Sequence, residues 1–393
     1  MNKGKTLKIQ YIILQSIYFV TSITIFNYAS NMLLYKGYSN TKIGIIISIA
    51  SLFSIIFQPI IADFADKSKK LSVTQIMLIL TGVSLLLTLP LYFISQECLL
   101  LSIIFITISC LFSVSQPLIN VLDHIIDSVG VDSDYGFARS FGSLSFALFN
   151  AIFGNIINKY SDASIALITL ATYTLLFFSV LAMTSTFKKI KKVEKTTEAV
   201  EEISTKEFIV NNKKMVFLFI AAALFNFSAT VMDYNLIQII TPLGGTTVDQ
   251  GYLGFVWAIL EVPVMMSFSR LNKKFSLESL LVFASFIYSI RAVGIYLSNS
   301  MLWIYLSLSL QWGSFALFQP AVVEYIDTHT KENEKARGQA LYTTILAIGT
   351  MIINFISGFI IDGAGIKTLL LVGSIVSIIG TIMFTLIIKK TKK

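Results

Sequence analysis

The sequence predicts an all-α membrane protein with 12 transmembrane helices in two pseudo-symmetric six-helix bundles and both termini cytoplasmic. Three observations lead there. The 393 residues are 55% hydrophobic and only 13% charged, about half the charge of a soluble domain. Twelve mostly apolar stretches reach the roughly 20 residues that cross a hydrocarbon core. The second half of the chain also repeats landmarks of the first.

The stretches lie at about 8–34, 41–62, 72–95, 98–122, 137–157, 163–186, 215–241, 251–269, 277–298, 301–324, 338–361 and 367–388. Helix is the economical form, because an open sheet edge in lipid leaves backbone groups unsatisfied. The first stretch is too long for a signal-peptide core and is read as a retained helix. Of the 30 Lys and Arg, 24 fall on the side that carries both termini. The opposite side holds Lys36, Lys42, Lys159 and Lys367, and Arg139 and Arg291 fall inside spans. The basic side is the cytoplasmic one. The net charge of +8 is thus a topology signal scattered over short loops, and a nucleic-acid partner is not expected.

Four prolines pair at nearly one offset: Pro59 with Pro263, and Pro117 with Pro320. Lys69 and Lys70 follow the first of these as Lys273 and Lys274 follow its counterpart. "QPLINVLDHIID" (Gln116–Asp127) is answered by "QPAVVEYID" (Gln319–Asp327). The expected organisation is a bundle over 1–187, a cytoplasmic linker over 188–214 and a second bundle over 215–393. Parallel six-span repeats are the arrangement of the major facilitators, with solute between halves that rock.

A charge deep in a span costs roughly 2.5–3.5 kcal/mol on insertion scales and usually marks a pair or a functional site. Asp123, Arg139, Asp233, Glu261 and Arg291 are such residues, with Glu324 nearer the cytoplasmic end of its span. The short turn between spans 4 and 5 predicts that Asp123 and Arg139 are neighbours. They are either a structural tie or a pair that opens to a polar solute. Glu261 precedes the Pro263 kink, and Arg291 is its natural counter-charge. Three acids face two arginines, so one acid is left to carry a proton, with Glu261 or Asp233 as carrier. Asn27 and Gln311 are candidate cavity-lining residues. In "ADFADKSKK", Asp66 and Lys67, echoed by Arg270, suggest a latch between helix ends; the alternative is a simple topology determinant.

Longer stretches carry a resemblance. "SNTKIGIIISIASLFSIIFQP" (Ser39–Pro59) and "DYGFARSFGSLSF" resemble the lactose permease-like, oligosaccharide–proton symporter branch of the major facilitator superfamily. Phenylpropionate and nucleoside permeases look like its close relatives. "MDYNL", "ILEVPV", "SIRAVG" and "VVEYI" extend the likeness more weakly. The resemblance places Asp123 on the family's sugar-binding span-4 glutamate, Arg139 on its essential span-5 arginine, Phe146 on a ring-stacking tryptophan, Glu261 on its span-8 glutamate, Arg291 on its span-9 arginine and Asp233 on one of its span-7 aspartates. It also exposes a departure. Where the family has its span-10 lysine, histidine and glutamate, this chain has Leu308, Gln311 and Ser314. Glu261, Asp233 or Glu324 would then have to carry the proton.

The expected function is secondary active transport: proton-coupled import of a small polar solute, a sugar or glycoside first, by alternating access. The alternatives are a nucleoside or aromatic-acid permease, efflux of an amphipathic compound, or a solute sensor that does not transport. No nucleophile triad, phosphate loop or metal-ligand spacing supports an enzyme, and no cofactor is expected beyond the proton. The expected setting is a bacterial cell membrane, the expected partners are solute and lipid, and the expected state is a monomer.

Overall fold

The computed structural model describes residues 3–68, 70–131, 134–188 and 203–389. Residues 189–202 of the expected linker and the side chain of Asp66 lie outside that description. The described residues form helices joined by turns. Twelve helices are long and apolar enough to span a membrane: Gly4–Asn27, Asn40–Ala65, Val73–Phe93, Leu99–Ser128, Gly136–Tyr160, Ser164–Phe187, Lys213–Leu243, Thr247–Lys274, Leu277–Leu297, Met301–His329, Glu332–Ala364 and Ile366–Lys389. These are spans 1 to 12. Span 4 continues past the expected boundary, so Asp123 and Asp127 lie within the helix.

Local chemistry explains the starts and the interiors. Ser39 and Ser276 accept hydrogen bonds from the backbone of Lys42 and Ser279, and Ser72 with Gln75 forms a capping box. Each satisfies amides that a helix start leaves orphaned. Hydroxyls inside the spans turn back on their own helix, as Ser48 does to Gly44 and Thr169 to Ile165, both at 2.7 Å. Such back-bonding lets a polar side chain exist in lipid at little cost. Pro59, Pro117, Pro263 and Pro320 all lie inside helices.

The chain divides into two units, Met1–Thr197 with Thr247–Phe255, and Glu198–Thr246 with Val256–Lys393. In the first, span 1 packs along spans 5 and 6, and span 3 along spans 4 and 6. In the second, span 7 packs along spans 11 and 12, and span 9 along spans 10 and 12. The same pairings recur six spans later, as a repeat requires. Span 5 lies chiefly along span 1, while span 4 lies against spans 2 and 3.

Part of the linker belongs to the second unit. Its helix Thr205–Asn211 is followed by Asn212, and Asn211 and Asn212 donate to the two carboxylate oxygens of buried Glu334, each at 3.3 Å. Arg337 donates to the Ile203 carbonyl at 3.1 Å.

Residues 247–255 are seated on the first unit by close backbone approach. A Cβ on Gly154 would stand 2.4 Å from the Thr247 carbonyl, and one on Gly251 2.5 Å from the Asn150 carbonyl. Only glycine permits that distance. Around this seat the Gln250 amide donates to the Asn27 carbonyl at 2.7 Å, and Asn31 donates to Gln250 at 3.0 Å. Gly142 is also tight, against Phe19, whereas Gly136 faces open space. Nearby, in the turn after span 5, Asp162 keeps a buried Oδ1 without a hydrogen-bond partner. Burial pushes its carboxyl above the ordinary 3.8.

Two outcomes follow from this seat and its neighbour. Gly154→Leu and Gly251→Leu are each expected to cost about 1–3 kcal/mol through overpacking. Thermal unfolding in detergent should show lower midpoints, with Gly136→Leu near the unmodified protein. For Asp162 the folded state holds the proton more tightly than the unfolded chain. Its cost is absent below the ordinary value and grows as pH rises through the folded one. Asp162→Asn should raise the midpoint near neutral pH, and the gain should shrink as pH approaches about 4.

Candidate transport site

Two polar groups stand out, one in each unit. The group in the second unit is built on a broken helix. Span 10 runs as helix Met301–Ser309, a 3-10 turn Leu310–Trp312, and helix Phe315–His329. Ser314, between the turn and the second helix, has φ −92° and ψ −94°, outside helical geometry. Gln311 sits in the turn and is buried. A broken span at membrane depth frees backbone groups and is tolerated where protein surrounds it.

Gln311 uses both ends of its amide. Its Nε2 donates to Glu261 Oε1 at 2.7 Å, and its Oε1 accepts from Arg291 Nη1. Arg291, on span 9, is 3% exposed, and its Nε has no hydrogen-bond partner. The amide can satisfy both partners in only one orientation, carbonyl to the cation and NH2 to the carboxylate. The expected counter-charge of Arg291 is thus reached through a neutral bridge. Tyr288, Asp233 and Glu261 all lie within electrostatic reach of Arg291. Asp233 keeps open surface and lies just before Asn235, where span 7 leaves helical geometry (φ −123°, ψ 24°).

The group in the first unit is built on span 5. Arg139, Ser143 and Phe146 recur at helical spacing, so they share one face. Arg139 Nη1 donates to Ser143 Oγ at 3.0 Å. Its guanidinium carbon lies 3.9 Å from the centre of the Phe19 ring on span 1. Phe146 and Asp123 are both half-buried. The Phe146 carbonyl accepts from the Asn150 amide at 3.0 Å.

The remaining expected residues are placed as follows. Asn27 ends a π-helical turn, Ile23–Asn27, and its carbonyl takes the Gln250 amide, so this residue contributes backbone to the seat described above. Glu324 is exposed and lies thirteen residues past Gln311, beyond its cluster. Lys67 pairs with Asp63 on its own helix at 2.6 Å, and Arg270 is exposed. Phe19 and Ser143 were not legible as site residues. For the span-10 break the Gly313–Ser314 pair was an available signal.

This architecture agrees with comparison to known proteins. Residues 7–372 match the model of the MFS_1 like family. The uncharacterized transporter YwbF of Bacillus subtilis is 24% identical over 364 residues, covering 90% of this chain and 86% of that protein. The maltose permease of Geobacillus stearothermophilus is 23% identical over 363 residues, covering 90% and 87%. The crystal structure of the nucleoside transporter NupG shares the fold with a TM-score of 0.79 at 14% identity, covering 99% of this chain and all of that one. The chain belongs to the MFS_1 like family, and it is a multi-pass membrane transporter of the major facilitator type.

Removing the bridge should strand a buried guanidinium. Gln311→Leu is expected to lower stability by about 2–4 kcal/mol, because hydrogen bonds to charged groups are lost on both sides. A double-mutant cycle with Glu261→Gln in equilibrium unfolding should return a coupling of roughly 1–2 kcal/mol. Additive effects would place Gln311 and Glu261 apart.

Proposed function

We propose that this transporter imports a small polar organic solute together with a proton, and that the solute is a sugar or glycoside. The observation that carries the reading is the Glu261–Gln311–Arg291 chain. It joins a protonatable acid to a buried cation through one amide. A proton on Glu261 removes the charged acceptor that the Gln311 NH2 serves. The amide then holds Arg291 less firmly, and the charge state of one span is felt on two others. Asp233, open and within reach of the same cation, is the second candidate carrier. Glu324 is too far along span 10 to share this network.

Arg139, Ser143, Asp123 and Phe146 supply the binding chemistry of the first unit. A guanidinium and a carboxylate hydrogen-bond hydroxyls, and an aromatic face covers the apolar side of a sugar ring. The likeness to a maltose permease supports a sugar. A nucleoside is the second reading, supported by the fold shared with NupG and by a ring at position 146 that suits a base equally well. Asp66, Lys67 and Arg270 are proposed to tune the rocking from the cytoplasmic ends of spans 2 and 8.

Uptake into energised membrane vesicles tests this reading, with radiolabelled maltose and uridine as probes. Accumulation of one probe should collapse on adding a protonophore. Glu261→Gln should cut accumulation by roughly tenfold or more while exchange of labelled for unlabelled solute survives, because exchange needs no net proton movement. Accumulation that persists with the protonophore would remove proton coupling.

A further inference from the structure

We infer that Phe19, seated in the gap left by Gly142, is the residue that orients Arg139 towards the solute. The inference rests on the reading of Arg139 as a solute-binding residue. Three distances make the case. The Arg139 guanidinium carbon stands 3.9 Å from the Phe19 ring centre. Its Nη1 is 3.0 Å from Ser143 Oγ. A Cβ at position 142 would fall 2.5 Å from Phe19 Cδ2 and 3.1 Å from Cε2. The ring therefore packs this close to span 5 only because residue 142 has no side chain.

The ring itself has an aromatic neighbour. Tyr18 meets Phe19 edge to face, with centroids 5.8 Å apart and planes at 83°. Tyr18 also stacks on Phe112 of span 4 at 4.3 Å and 2°, and its hydroxyl donates to the Phe112 carbonyl at 3.2 Å. Tyr173 of span 6 meets the same Phe112 ring edge-on, at 6.3 Å and 78°. An aromatic cluster from three helices thus adjoins the ring on which the guanidinium rests. A cation over a ring face is attracted by the ring quadrupole without spending a hydrogen-bond donor on it. Phe19 faces the plane of the guanidinium and Ser143 takes one of its N–H groups, so both bear on how the planar fork is held. Phe19 acts through Arg139 and is a positioning residue.

The test uses the full chain in lipid nanodiscs and in vesicles. The sequence has four arginines, so selective 15N-arginine labelling gives a sparse side-chain spectrum, and Arg139→Lys assigns the Arg139 Nε–Hε signal. Phe19→Leu keeps an apolar residue but removes the ring, and Gly142→Ala keeps the ring but displaces it. Both should move the Arg139 signal out of the ring-current field, while Phe19→Tyr leaves it in place. In uptake of maltose or uridine, Phe19→Leu should raise the half-saturation concentration about tenfold with the maximal rate within about twofold, and Phe19→Tyr should restore it.

An Arg139 signal unmoved in Phe19→Leu would overturn the inference. So would a moved signal with an unchanged half-saturation concentration, or a fall in maximal rate alone. If the unmodified protein accumulates neither probe, the functional reading of the preceding section fails. The resonance measurement then still decides whether Phe19 orients Arg139.

Discussion

A guanidinium buried in a membrane-spanning bundle has to be matched, and the way Arg291 is matched shapes the second unit. A direct carboxylate partner would fix it as a structural ion pair. The chain instead interposes a neutral amide that touches both charges. To put that amide there, span 10 gives up α-helical geometry for a turn at Leu310–Trp312. Irregular backbone and internal charge thus share one place, at the buried side chain of Gln311.

The first unit also places a guanidinium in a span. Arg139 rests on an aromatic face and a hydroxyl. The scaffolds correspond in the packing of spans 1 and 3, whose partners among spans 4 to 6 recur for spans 7 and 9 among spans 10 to 12. The sites do not correspond. Duplication supplies equivalent positions, and side chains then diverge while the packing that supports them persists. Spans 1 and 7 both break, through a π-helical turn in one and a kink at Asn235 in the other. Local backbone departures of this kind concentrate at functional positions.

Much of the scaffold was legible because lipid leaves a chain few options. Twenty apolar residues in lipid form a helix, and the prolines and lysines at matching offsets exposed the repeat. The charged site residues were legible for a related reason: Glu261, Arg291, Asp233 and Arg139 cost too much in a span to be incidental. Their partners were not. Gln311 reads as one more polar residue until three-dimensional packing brings spans 8, 9 and 10 together at its amide. Phe19 is one of 31 phenylalanines, and nothing local separates it from those that face lipid. The expectation that Asp123 and Arg139 are neighbours came from loop length alone. Loop length does not reveal which further helix a span lies along, and span 5 lies chiefly along span 1. The connection between residues 188 and 214 read as one polar linker, yet Asn211 and Asn212 are built into the second unit through buried Glu334.

The amide of Gln311 touches Glu261, and infrared spectroscopy of that carboxyl tests this contact most directly. The Glu261 band is assigned by its loss in Glu261→Gln, and its position reports the hydrogen bonds the group receives. If the bridge exists, Gln311→Leu shifts the band to the frequency of a carboxyl without an amide donor. A Glu261 band of unchanged frequency in Gln311→Leu would contradict it.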